Sequence, residues 1–133
     1  MIVVDTNILA YFWIQGEHTS VVEQVFLRDP DWHAPVLWRS EFRNILAGYL
    51  RRCEITLETA LEILFRAERQ MRGKEYMVET FEVMNLVAQS NCSAYDCEFV
   101  ALAKELDTSL ITTDKQILKA FPQIALSPET FVK

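Results

Sequence analysis

Hydrophobic residues in this chain fall into short runs that alternate with helix-spaced stripes. Ile2-Val3-Val4 is an aliphatic run that reads as a strand buried on both faces. Polarity then switches to Asp5-Thr6-Asn7, and Ile8 to Trp13 continue as a mostly apolar helix, about 6–14. Gln15-Gly16-Glu17 breaks that pattern. Val21, Val22, Val25 and Phe26 predict a helix over roughly 19–28, capped by Thr19 or Ser20. Asp29-Pro30-Asp31 is a turn, and Trp32-His33-Ala34 a second strand whose length Pro35 limits. A helix over about 37–52 carries Phe42, Ile45, Leu46 and Tyr49 on one stripe. Thr56 caps the next, about 57–72, with Leu57, Leu61, Leu64 and Phe65 expected toward the core and Arg66, Arg69 and Arg72 outward, and Gly73 ends it. Tyr76-Met77-Val78 reads as a short edge strand, and Phe81, Met84, Val87 and Ala88 mark a helix to about 90. Ser93 opens a helix over about 94–106, with Phe99, Leu102, Ala103 and Leu106 as its buried stripe. Ser109 to Thr112 is a strand, Asp114 begins a short helix to Phe121, and Ile124-Ala125-Leu126 is a last strand.

Strands alternating with helices imply a mostly parallel sheet flanked by helices: an α/β protein, an α/β/α sandwich with residues 1–133 as one domain. At 133 residues, half of them hydrophobic, the chain can bury a core without disulfides or structural metal. Cys53, Cys92 and Cys97 show no C-x-x-C spacing, and only His18 and His33 could join them, which argues against zinc. Free buried thiols in a reducing cytoplasm are expected instead. Met1 runs directly into the first strand with no basic leader, and no apolar run approaches the ~20 residues of a membrane span. A cytoplasmic protein with no membrane partner is the expectation. Net charge is −6 and the pI about 4.9. A polyanionic partner therefore requires cations or a local basic patch to offset repulsion.

Four acids stand at helix starts. Asp5 and Asp114 each end a hydrophobic strand and begin a helix, which in a parallel sheet puts both on the edge where open α/β sheets bind ligands. Helix capping explains either one taken singly. Asp96 shares a helix face with Phe99, Ala103 and Leu106, and a Ser93-x-x-Asp96 capping box accounts for it without reference to Asp5. Glu41 lies in a first turn, at the border of an apolar stripe, a common place for an acid. Together the four can converge at the carboxyl edge of the sheet. Like charges so placed raise one another's pKa unless a cation lies between them. Oxygen ligands without His or Cys select Mg²⁺ or Mn²⁺, and carboxylate-held magnesium suits phosphodiester hydrolysis.

Four segments carry a resemblance: V-V-D-T-N at 3–7, W-R-S-E-F-R-N at 38–44, A-Y-D-C-E-F-V-A-L-A at 94–103 and L-I-T-T-D-K at 110–115. Together, over nearly the whole chain, they resemble a PIN domain, and more narrowly the VapC-type toxins of bacterial and archaeal toxin–antitoxin pairs. The resemblance implies a Mg²⁺- or Mn²⁺-dependent endoribonuclease, a homodimer, held inactive by a small cognate antitoxin protein. Its acidic quartet maps onto Asp5, Glu41, Asp96 and Asp114, with Asp5 and Asp96 most directly tied to metal. Thr6, Asn7, Thr112 and Thr113 match positions that steady the carboxylates and water. Implied cleavage is in-line attack by water on phosphorus, leaving a 5′-phosphate and a 3′-hydroxyl.

Around these positions several residues have two readings. Glu98, at i+2 from Asp96, is expected on the solvent face. Arg39, Arg43, Lys115 and Lys119 flank the site and either touch RNA phosphates or coat a solvated helix face. Tyr11, Phe12, Trp13 and Trp38 offer rings for base stacking, a partner groove or core packing. Tyr11-Phe12-Trp13 cannot all point inward on one helix, so at least one is expected at an interface with a second copy or an antitoxin. Cys97 lacks a neighbouring His and reads as packing. An aspartyl phosphatase of the haloacid dehalogenase type wants a second acid two residues after Asp5, where Asn7 stands. A receiver domain would need a phosphoacceptor strand absent here. A non-catalytic PIN-like module that binds RNA or protein without cutting is the remaining alternative.

Overall fold

The computed structural model describes residues Met1–Lys133. In chain order the elements are β1 (Ile2–Val4), α1 (Thr6–Trp13), α2 (Thr19–Arg28), β2 (Trp32–Pro35), α3 (Trp38–Arg51), α4 (Leu57–Gln70), β3 (Glu75–Tyr76), α5 (Thr80–Ala88), α6 (Ala94–Glu105), β4 (Leu110–Ile111), α7 (Lys115–Ala120), β5 (Ala125–Leu126) and α8 (Pro128–Val132). Five strands form one sheet in the order β3-β2-β1-β4-β5, and every pair is parallel. β1 is central: Val3 pairs with His33 on one side and Leu110 on the other. Strand order therefore runs outward in both directions from β1. The crevice past the carboxyl ends of β1 and β4 is a topological switch point, where such sheets bind ligands.

Local chemistry sets the helix starts. Asp5, Thr56, Ser93, Asp114 and Ser127 each accept a backbone N–H of the first turn, satisfying donors a helix leaves unpaired. Gly73 follows α4 at φ +78°, a conformation that favours glycine. α6, backed by α5, packs on β1, β2 and β4, whereas α1 packs on α2, α3 and α4. From Cys97 to Ala103 only Glu98 of α6 escapes full burial, so the expected single stripe is a nearly continuous apolar surface.

Several sequence expectations need correction. α4 turns Ala60 and Ala67 inward, while Leu57 and Phe65 are each 62 % exposed and Leu61 also faces solvent. In α5 the buried residues are Val83 and Leu86, with Phe81 68 % exposed and Met84 exposed as well. β3 forms one residue earlier than expected and stops at Tyr76, leaving Met77 in the open. Of the three thiols, Cys92 and Cys97 are buried but Cys53 is exposed. Helix α8 has no counterpart in the hydrophobic pattern; Ser127 caps it and Pro128 supplies a preset first-turn φ. No helix is long and apolar enough to cross a membrane.

Candidate active site

Asp5 is placed by β1 and spent as the cap of α1. Its Oδ1 accepts the Thr6 N–H at 2.8 Å, and its Oδ2 accepts the Thr112 hydroxyl at 2.8 Å. Only 8 % of the residue is exposed. Burial pushes its pKa up to about 6; the Thr112 and Thr6 hydrogen bonds oppose that rise, and the charges of Glu41 and Asp96 add to it. Thr6, directly after it, donates its hydroxyl to Glu41 Oε1 at 2.6 Å, which ties the start of α1 to the first turn of α3. Burial raises the Glu41 pKa as well, against the Thr6 hydrogen bond and with help from Asp96.

Across the crevice, α6 and α7 bring the other two carboxylates. Ser93 Oγ accepts the Asp96 N–H at 3.0 Å and fixes the first turn of α6. Partial burial, and then the charge of Asp114, raise the Asp96 pKa. Asp114 caps α7, its Oδ1 accepting the N–H groups of Gln116 and Ile117 at 2.8 and 3.1 Å. Thr112, wholly buried, joins the two sides: while donating to Asp5 it accepts the Asp114 N–H at 3.0 Å. Thr113 makes no hydrogen bond to any of the four acids. Asp5, Glu41, Asp96 and Asp114 line one small cleft with Thr6, Asn7, Asn44 and Ile45. Asn44 closes the W-R-S-E-F-R-N segment, and its place one turn after Glu41 on α3, on the same helix face, is the signal that points to it. Glu98 is not a solvent-face residue: it is half-buried, and both burial and the Glu41 charge raise its pKa.

The basic residues divide. Arg39 is held by Glu75 through two hydrogen bonds and reaches Glu68 at 3.5 Å, while Trp38 Nε1 donates to the same Glu75 at 2.7 Å. Trp38 itself is fully buried core. Arg43, Lys115 and Lys119 are exposed and enter no ion pair. None of the four cleft acids is paired with a cationic side chain either. Cys97 beside Asp96 is buried with its thiol pKa pushed up, the opposite of an activated nucleophile.

The donor set is hard oxygen throughout, which fits Mg²⁺ or Mn²⁺ and not zinc or copper. No three acidic, His or Cys side chains stand close enough to form a ready-made metal cage. Hydrogen bonds from Thr6, from Thr112 and from the first-turn N–H groups of α7 hold three of the four carboxylates in place. Magnesium keeps several waters and commonly uses only one or two carboxylates, so the spacing does not conflict with the fit.

Parallel sheet order and an acidic cleft at the switch point define a class. The chain belongs to the PIN domain family, whose model matches residues 2–122. It is similar to Ribonuclease VapC3 of Pyrobaculum aerophilum, 25% identical over 126 residues that span 92% of this chain and 96% of that protein. Its fold matches the crystal structure of PAE2754, also from Pyrobaculum aerophilum, with a TM-score of 0.78 at 17% identity, over 98% of this chain and 92% of the other. The resemblance read from the four sequence segments agrees with these matches.

Proposed function

We propose that the chain is a divalent-metal-dependent endoribonuclease and the toxin of a toxin–antitoxin pair. The observation that carries the reading is the meeting of Asp5, Glu41, Asp96 and Asp114 in one cleft with no cationic side chain to neutralise them. A bound Mg²⁺ or Mn²⁺ would lower the pKa of water and offset the charge of the phosphate. Asp5 and Asp96, from opposite sides of the crevice, would hold it, with Glu41 and Asp114 completing the oxygen set. Thr6 and Thr112 keep two of these carboxylates oriented through hydrogen bonds made before substrate arrives, so little reorganisation accompanies the reaction. Asn7 and Asn44 offer carboxamide donors at the rim, and Arg43 and Lys115 are free to meet RNA phosphates. Arg39 is committed to Glu75 and Glu68 and is not assigned to RNA.

Two surfaces suit the protein partners of this reading. Phe12, Trp13, Phe26, Leu61 and Phe65 line an open groove of about 920 Å³ between α1, α2 and α4, edged by Glu58, Glu62, Arg66 and Arg69. It is the surface offered to an amphipathic antitoxin segment. Met77, Phe81 and Met84, just before and on α5, are exposed apolar side chains, and they are the residues offered to a second copy of the chain. The nuclease reading is tested by incubating purified protein with total RNA, with Mn²⁺ and with chelator. Cleavage that needs Mn²⁺ and is lost in Asp5→Asn, with the mutant still folded, is the expected outcome. Equal cleavage by mutant and wild type defeats the assignment of Asp5.

A further inference from the structure

A hollow of about 370 Å³ opens beside the acidic cleft, at the elbow between α1 and α2, and the two share Asn7 and Ile45 as lining residues. Tyr11 and His18 form one wall, their rings stacked with centroids 4.4 Å apart and planes inclined by 32°. Tyr49 of α3 lines it too, with the Arg52 guanidinium 4.8 Å from its ring centroid. Gln15 and Asn7 add exposed carboxamides. The elbow is pinned and not a loose loop: Thr19 Oγ1 accepts the Gly16 N–H at 3.0 Å and donates to the Tyr11 carbonyl at 2.7 Å.

We propose that this hollow is a nucleobase subsite, taking the base of one nucleotide next to the phosphate that enters the acidic cleft. Aromatic and imidazole rings give a base a stacking platform, and carboxamides offer both donors and acceptors to its edge. Its size, near the low end of the ~300–1,000 Å³ of small-ligand sites, admits one base and not a length of strand. Glu17 at the rim and the neighbouring carboxylates disfavour a phosphate inside it, whereas an uncharged base meets no such penalty. The nucleic-acid identity of the ligand rests on the ribonuclease reading; the stacking chemistry does not.

The test uses adenosine, guanosine, cytidine and uridine, which carry no phosphate and need no metal. Each is titrated into the folded chain while backbone amide resonances are followed. Shifts should centre on residues 14–18 and 45–49, with one nucleoside preferred. His18→Ala and Gln15→Ala, both at solvent-reached positions, should weaken binding by about fivefold or more while the melting temperature stays that of wild type. Absence of shifts there, or shifts that neither variant alters, overturns the subsite whether or not the chain cuts RNA. Mapping of cut sites in a random-sequence RNA pool forms the second arm. Base preference at one position beside the cut should flatten in His18→Ala, and an unaltered preference overturns the proposal. Nucleoside binding at the hollow in a chain that cuts no RNA would leave the subsite standing and remove the ribonuclease reading.

Discussion

Thr112 serves both sides of the cleft with one hydroxyl, donating to Asp5 and accepting from the Asp114 backbone. Thr112→Val keeps the bulk and removes both bonds inside a buried site. The expected cost is about 1–3 kcal/mol in denaturant unfolding, and cleavage should show a fall in kcat larger than any change in KM, since the hydroxyl touches the Asp5 carboxylate and the Asp114 backbone and not substrate. Asp5 supplies a pH test. Its folded pKa of about 6 lies above the ordinary 3.8, so the native state holds a proton that the unfolded chain has released. Metal-free stability therefore falls as pH rises from about 4 to 6 and stays low above that range, and the raised Glu41 and Asp96 act in the same direction. Asp5→Asn should stabilise the metal-free fold at pH 7.5 by up to about 3 kcal/mol, with the gain fading toward pH 4, read from melting curves across pH. The four acids were visible in sequence because each follows a strand end or helix cap. Glu98 departs from the i+2 expectation because that rule assumes a free helix face, and α6 between Cys97 and Ala103 is buried almost all round. Arg39 looked available because its partner Glu75 is 36 residues away, a pairing no local pattern reveals.

Helix α4 shows where hydrophobic spacing misleads at the scale of an element. Leu57, Leu61 and Phe65 recur at i, i+4 and i+8 and imitate a core stripe, yet small Ala60 and Ala67 face the interior and allow close approach to the body of the protein. Ala67→Leu should overpack that contact and cost about 1–3 kcal/mol, whereas Phe65→Ser should stay within about 0.5 kcal/mol; paired urea melts give the comparison. The reverse ranking would mean that the outer stripe, and not the alanines, carries the packing. α5 repeats the lesson with Phe81 and Met84. Periodicity located nearly every helix but could not say which of two apolar faces is covered by the same chain and which is left for another. Strands fared better, since a parallel sheet buried on both faces demands continuous aliphatic runs, as at Ile2–Val4. β3 is the exception: Glu75-Tyr76 is only half-buried and carries no aliphatic residue, unlike the equally short β4 and β5, so no apolar run marks its start.

Charge links the parts across the whole molecule. With a net −6 and four cleft acids left without cationic partners, the fold carries a local excess of negative charge that a cation would relieve. Because only the folded chain assembles those acids, Mg²⁺ or Mn²⁺ should raise the melting temperature of wild type and leave that of Asp5→Asn little changed. Parallel topology makes the assembly possible: acids 18 to 109 residues apart along the sequence are delivered to one edge because β1 and β4 are neighbours and α3 and α6 begin beside them. Calorimetric titration of Mn²⁺ at pH 7.5 into wild type and into a folded Asp96→Asn chain tests this convergence most directly. Uptake by wild type that weakens at least tenfold in the variant is expected, whereas indistinguishable binding isotherms would contradict a shared cation site.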